Sequence, residues 1–263
     1  MAAEKAAKSG HTLHRLPSKE VRGMKTLAVI PARYASTRLP GKPLIEIAGV
    51  PLVIRVLENV SKCSNVDRVI VATDDERIAR LVSAHGGEAV MTPPELPSGG
   101  DRVAYVARRV PSDYVLNVQV DDPLVGADMI DPLVAALDAD PSVMLALLVK
   151  RIERMEEVGD TSVVKAVFDA RGRALYFSRS PVPYPRNAGG VWHKHIGPYG
   201  WRRDFLLDFA GSAQTPLEKT ESLEMLRVLE RGCAIRCVEA LRDTIEIDTP
   251  DDLVKIAKYF AAP

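Results

Sequence analysis

The chain is poor in the features that mark several protein classes. It has three cysteines, Cys63, Cys233 and Cys237, an odd count with no CxxC pair. That excludes a disulfide framework and a cysteine zinc site, and reads as reduced thiols. Cys233 and Cys237 share one face of a predicted strand, where packing accounts for them. There is no charge excess: Lys+Arg and Asp+Glu are both 35, a net charge of zero. A general binder of nucleic acid or anionic membrane needs a basic surplus, so any anion site must be local. No apolar run approaches the ~20 residues that span a bilayer. Residues 1–24 have no apolar core of a secretory signal and no helical periodicity. They read as a disordered tail in which His11 and His14 are not ligands. The Gly-rich dinucleotide and Walker patterns are also absent. Together these absences point to a cytoplasmic protein. Its 263 residues, 46% hydrophobic and 27% charged, suit one globular domain over 25–263, with or without a lobe.

What stands out is the stretch Pro31 to Leu44, PARYASTRLPGKPL. An apolar run, Leu27 to Ile30, feeds into it, and an apolar segment led by Pro51 follows. A buried strand that ends in a basic, Pro/Gly-bent loop before a helix is a common setting for phosphate. Arg33, Arg38 and Lys42 lie in this loop with no acid among them. Rigid backbone with long cations suggests a clamp for a polyanion.

The remaining pattern predicts an α/β fold. Strands are expected at Thr26–Ile30, Asp67–Thr73, Glu88–Met91, Tyr114–Val120 and Val143–Val149. Helices are expected at Leu52–Val60, Asp75–Val82, Val103–Val110 and Met129–Leu137. This alternation implies a mostly parallel sheet flanked by helices. Between Thr92 and Arg102 the chain is too rich in Pro and Gly for regular structure. After Lys150 the rhythm changes to strands joined by hairpin signals, and residues 150–200 read as a smaller antiparallel lobe.

Ligands in such sheets sit beyond the carboxyl ends of the strands. Those ends carry the basic loop, Thr73–Asp74, Gln119 to Asp122, and Asp248. Cations and acids at one edge suit a nucleoside triphosphate with Mg2+, a hard cation shared by carboxylates and phosphate oxygens. Each acid also has a plain alternative. Asp121-Asp122-Pro123 is turn chemistry, and Thr249-Pro250-Asp251-Asp252 is a helix start that does not need Asp248.

The Pro31–Leu44 motif resembles the signature of the cytidylyltransferases that make CMP-activated 3-deoxy-manno-octulosonate (Kdo). The resemblance continues through Val71-Ala-Thr-Asp, Ser98-Gly99, Asn117-Val-Gln, Ala174-Leu-Tyr-Phe-Ser-Arg, His195-Ile-Gly with Tyr199, Pro216-Leu-Glu, Leu226-Arg and Ile247-Asp-Thr-Pro. It covers the chain after Met24. It implies a Rossmann-like nucleotidyltransferase fold, CTP as donor, magnesium and a homodimer. By position, Ala32, Arg33, Ser36, Arg38, Lys42, Thr73, Ser98 and Gly99 would hold the nucleotide, with Lys42, Arg33 and Arg38 acting on the triphosphate. Asp121 and Asp248 would bind the metal. Gln119, Lys165, His195, Tyr199, Glu224 and Met225 would face the acceptor acid.

This sequence departs from the family at four places. Val120 replaces a glycine, Pro93 an arginine, and Met225 a glutamine. Leu96-Pro-Ser-Gly-Gly100 lacks a histidine and a hydroxyl. Lost polar groups predict an acceptor smaller and less hydroxylated than Kdo, and a phosphonate such as phosphonoformate is the expectation drawn. Kdo itself is the alternative. A non-catalytic CTP-binding regulator is a third reading.

Overall fold

The computed structural model describes residues 24–35 and 39–261. In chain order, β1 (Thr26–Ala32) leads through a loop to a single 3-10 turn at Lys42–Leu44. A small hairpin, β2 (Glu46–Ile47) and β3 (Val50–Pro51), precedes α1 (Leu52–Ser61). Then come β4 (Arg68–Thr73), α2 (Glu76–Ala84), β5 (Glu88–Met91), α3 (Gly99–Ala107), β6 (Tyr114–Asn117) and α4 (Ala127–Ala139). The second half holds β7 (Val143–Arg151), α5 (Glu156–Gly159), β8 (Lys165–Phe168), β9 (Ala174–Ser178) and β10 (His193–Arg202). The chain finishes with α6 (Arg203–Ala210), α7 (Pro216–Glu221), α8 (Glu224–Glu230), β11 (Ala234–Glu239) and α9 (Pro250–Ala261).

The main sheet runs β11-β7-β10-β6-β1-β4-β5. β6, β1, β4 and β5 are parallel neighbours, and β10 runs antiparallel to both β6 and β7. β8 joins through β10, and β9 pairs β8, so the antiparallel segment is continuous with the main sheet. β1 is buried along its whole length. Its near-continuous apolar run follows from being covered on both faces. Ala28 and Ile30 face a layer that includes residues of α1, α2 and α4. Leu27 and Val29 face a second layer with residues of α3, α6 and α8. Because β1 lies between β6 and β4, chains leave its carboxyl end in both directions. That edge is the crevice where such sheets bind ligands.

Several boundaries differ from the sequence expectation, two of them at the site's edge, and one helix is additional. α3 starts at Gly99, not Val103, because Ser98 caps it: its hydroxyl accepts from Asp101 N at 3.1 Å. β6 stops at Asn117, short of Val120, where the chain turns toward Asp121. α7 is an additional helix, started by a Thr215/Glu218 capping box with Pro216 in its first turn. The predicted start of the last helix holds, with Asp252 accepting from Thr249 N at 3.0 Å.

Candidate active site

The basic loop is closed at its base. Gly41 N donates to Tyr34 O at 3.0 Å, and Gly41 has φ 71°, a conformation suited to glycine. The Tyr34 ring lies against Gly41 and under the Arg77 guanidinium at 3.7 Å. Pro43 then opens the 3-10 turn whose first residue is Lys42. These constraints aim Lys42 across the sheet edge. Its ammonium donates to Asp121 Oδ2 at 2.8 Å, to Ile247 O at 2.7 Å and to Asp248 Oδ1 at 3.2 Å. Three segments far apart in sequence thus meet on one nitrogen. Ser36 and Arg38 lie outside the described residues.

The two adjacent acids divide their work. Asp121 faces Lys42, while Asp122 is buried and ties the chain together. Asp122 Oδ1 accepts from Leu124 N at 3.1 Å and from the Thr244 hydroxyl. Its Oδ2 is enclosed without a partner beside Gly197, where a Cβ would approach to 3.3 Å. Burial pushes the Asp122 carboxyl up to about 6. Desolvation, and then the charges of Asp121, Asp122 and Asp248, push Glu246 up to about 7. Glu246 is exposed as a whole residue, so charge crowding is the firmer cause. The edge beside Lys42 is therefore rich in negative charge and favours a cation.

Among the described residues, no three His, Cys, Asp or Glu side chains converge as a metal site. Asp121 and Asp248 fit magnesium nonetheless. Mg2+ is commonly held by one or two carboxylates plus substrate phosphates. The Lys42 ammonium already sits among three hard oxygens, the donor set such an ion takes.

On the other side of the loop, Arg33 donates to Pro97 O at 3.4 Å, and its Nε is enclosed without a partner. Ala32 and Thr73 are register partners at the ends of β1 and β4. Thr73 Oγ1 accepts from Asp75 N at 3.2 Å. The Ser98 hydroxyl, besides capping α3, donates to Asp101 Oδ2 at 2.6 Å. Arg102 is a residue the sequence reading missed. It is fully buried and donates to Asp74 Oδ2 at 2.8 Å and to the Thr92 hydroxyl. Pro93 O also accepts from Arg102, at 3.3 Å. An arginine next to the apolar stripe of Val103 and Val106 was the signal, since a buried charge requires a partner.

Of the acceptor candidates, Glu224 lines a cavity of about 690 Å3, together with Ser98, Gly100, Asn117, Trp201 and Phe209. A hydrogen-bond chain passes through two of these lining residues, Asn117 and Glu224. Gln119 Nε2 donates to Asn117 Oδ1 at 2.9 Å, and Asn117 Nδ2 donates to Tyr199 OH at 2.8 Å. Tyr199 OH donates to Glu224 Oε1 at 2.5 Å. Burial, and then the Glu224 charge, hold the Tyr199 hydroxyl well above its ordinary value, so it stays protonated and donates. The Glu224 carboxyl is itself raised, mainly by burial. The His195 ring packs near Tyr199, with centroids 6.1 Å apart. Its Nε2 is enclosed without a partner, and burial pushes the imidazole down to about 4, so it is neutral.

Two acceptor candidates stand apart. Met225 is buried in the apolar layer with Leu226 and Val228, away from the hydrogen-bond chain that Glu224 joins. Lys165 is fully buried, and its ammonium donates to Asp160 O at 2.8 Å, Val163 O at 2.7 Å and Arg179 O at 2.5 Å. All three of its donors anchor the chain around β8 and β9. Lys165→Met is expected to cost roughly 2–4 kcal/mol by leaving buried carbonyls unpaired. The acceptor KM should not change. A raised KM at an unchanged melting temperature would return Lys165 to the acceptor pocket.

Residues 27–241 match a family model described as cytidylyltransferase. The chain is 47% identical over 246 residues to the 3-deoxy-manno-octulosonate cytidylyltransferase of Syntrophotalea carbinolica, spanning 90% of this chain and 98% of that one. It is 48% identical over 247 residues to the protein of the same name from Geobacter metallireducens, spanning 89% and 97%. Among solved structures, it is similar to a CMP:2-keto-3-deoxy-manno-octonic acid synthetase complexed with CTP. That match has a TM-score of 0.86 and 41% identity, covering 90% of this chain and 98% of that one. A 4-diphosphocytidyl-2C-methyl-D-erythritol synthase from Anaerococcus prevotii shares the fold at TM-score 0.63 and 14% identity. A loop, a lysine and two acids brought to one sheet edge thus occur in a nucleotidyltransferase that belongs to the CMP-Kdo synthetase family.

Proposed function

We propose that this cytidylyltransferase transfers CMP from CTP to 3-deoxy-manno-octulosonate, or a closely similar hydroxylated keto acid, with release of pyrophosphate. The observation that carries the acceptor is the polarity of the hydrogen-bond chain. With Gln119 and Tyr199 donating inward, Gln119 Oε1 turns toward Gly99, and a Cβ built there would lie 3.9 Å from it. Glu224 Oε2 turns toward Gly100, where a Cβ would lie at 3.3 Å. The start of α3 is therefore flanked by two hydrogen-bond acceptors, one of them a carboxylate. A ligand there must bring donors, and sugar hydroxyls are donors. Ionised phosphonoformate has none, and its charge would meet Glu224 unfavourably.

The phosphonate expectation therefore gives way to the octulosonate alternative. The departures behind it have local reasons. Val120 is buried, and no positive φ occurs there, so no glycine is needed. Met225 lies in the core. Pro93 supplies its carbonyl to Arg102. Gly100 leaves room for the Glu224 carboxylate. The names of the relatives, nearly half identical over nine-tenths of the chain, support the same acceptor.

In the reaction, an acceptor hydroxyl oxygen attacks the α-phosphorus of CTP and its proton is released to solvent. The bond from that phosphorus to the β-bridging oxygen breaks, and pyrophosphate leaves with the electron pair. Lys42 and Arg33 stabilise charge on the phosphoryl oxygens and the leaving group. Magnesium held by Asp121, Asp248 and the phosphates would add Lewis-acid stabilisation and acidify the acceptor hydroxyl. The hydrogen-bond chain and the cavity orient the acceptor. The same reading carries with it a homodimeric, cytoplasmic enzyme.

Initial rates of pyrophosphate release from CTP test this. Saturable turnover is expected with 3-deoxy-manno-octulosonate and little with phosphonoformate. The reverse preference would sink the acceptor assignment. CTP binding without release with either acid would favour the regulator reading.

A further inference from the structure

Among the described residues, the side-chain hydrogen bonds of Asn117 go to Tyr199 and Gln119, and both ends of its amide are used. It is 1% exposed, at the carboxyl end of β6, and its Cα partner across to β10 is Tyr199. An amide nitrogen such as Asn117 Nδ2 only donates, so the Tyr199 oxygen accepts from it. Tyr199 therefore points its proton at Glu224 Oε1. Asn117 Oδ1 is then the end that meets Gln119 Nε2, which turns Gln119 Oε1 outward. One amide thus links the only way Tyr199 can point to the only way Gln119 can point.

We propose that Asn117 is a positioning residue for the acceptor. It holds the Gln119 carbonyl and the Glu224 carboxylate as paired acceptors on either side of the start of α3, and so selects ligands that bring hydroxyl donors. This rests on the hydroxylated-acid reading above. Asn117 acts through Tyr199 and Gln119 and makes no contact with the reacting atoms.

Asn117→Asp keeps the shape and still accepts from Gln119. It cannot donate to Tyr199, so the Tyr199 proton is drawn from Glu224 to the new carboxylate. Tyr199→Phe removes the same donor to Glu224 directly. Each variant is expected to raise the acceptor KM about tenfold or more, with the CTP KM within about twofold, since the triphosphate cluster of Lys42, Asp121 and Asp248 is left unchanged. Because both changes break one chain, the double variant should be within about twofold of the worse single one. If the buried charge of Asn117→Asp prevents folding, Asn117→Ala removes both bonds without it and should give the same rise in acceptor KM.

The parent chain is assayed first with 3-deoxy-manno-octulosonate. No turnover there overturns the hydroxylated-acid reading and the positioning role with it. An active parent and a folded Asn117→Ala with unchanged acceptor KM overturn the positioning role alone. Equal rises in both KM values would do the same, since they mark a general structural defect, as would effects that multiply in the double variant, since they mark independent contributions.

Discussion

Lys42→Met should lower turnover by about a thousandfold or more, the scale seen when a preorganised charge is removed from phosphoryl transfer. The fold should survive. The Lys42 side chain is 10% exposed, but its partners Asp121 and Asp248 are 23% and 38% exposed. Left without the ammonium, both carboxylates can hydrate, so the loss is far from that of a fully buried pair. A cost of about 1–2 kcal/mol corresponds to a fall of only a few degrees in melting temperature for a chain of this size. Lys42→Arg is a sharper control. Its charge is kept, but a planar fork does not match the three oxygens that one ammonium now reaches. It should remain well below the parent. Near-normal turnover in Lys42→Met, with intact folding by circular dichroism, would remove Lys42 from the reaction.

The second large effect is expected at the acids. Asp248→Asn keeps size and can still accept from Lys42, so folding should change little. It removes one negative charge from the pair that would hold magnesium. Turnover should fall by about a hundredfold or more, and the magnesium concentration for half-maximal rate should rise. Asp121→Asn should do the same. Chelation of divalent ions should stop the parent, and added Mg2+ should restore it. Turnover that survives chelation, or an Asp248→Asn variant with the parent's magnesium requirement, would separate these acids from any metal. Asp122→Asn is the internal contrast, because Asp122 binds Thr244 and Leu124 N and does not reach Lys42.

Much of this site was legible before any coordinates. A strand with a near-continuous apolar run had to be central. The Pro/Gly-bent basic loop after it had to lie at the carboxyl edge, and Lys42, Asp121 and Asp248 meet there. Local chemistry also fixed the last helix, since Thr249-Pro250-Asp251-Asp252 carries its own cap. The failures share a cause: side-chain direction and tertiary pairing are not written in local pattern. Met225 adjoins Glu224 in sequence but points into the core, because neighbours on a helix face different ways. Lys165 looks like a cation for an acid, yet it is spent on three carbonyls from three points of the chain. Arg102 and Asp74 pair across 28 positions. The phosphonate expectation counted missing polar residues without knowing which of them faced the ligand. The direction of the Gln119–Asn117–Tyr199–Glu224 chain carries more weight, and it needs the structure to be seen.

The most direct measurement is 31P NMR of the purified protein with CTP, Mg2+, 3-deoxy-manno-octulosonate and phosphonoformate in one tube. CTP resonances should be replaced by pyrophosphate and a single phosphodiester signal, with the phosphonate resonance unmoved. Loss of the free phosphonate signal to a phosphonate–phosphate anhydride, or CTP left intact, would contradict the assignment.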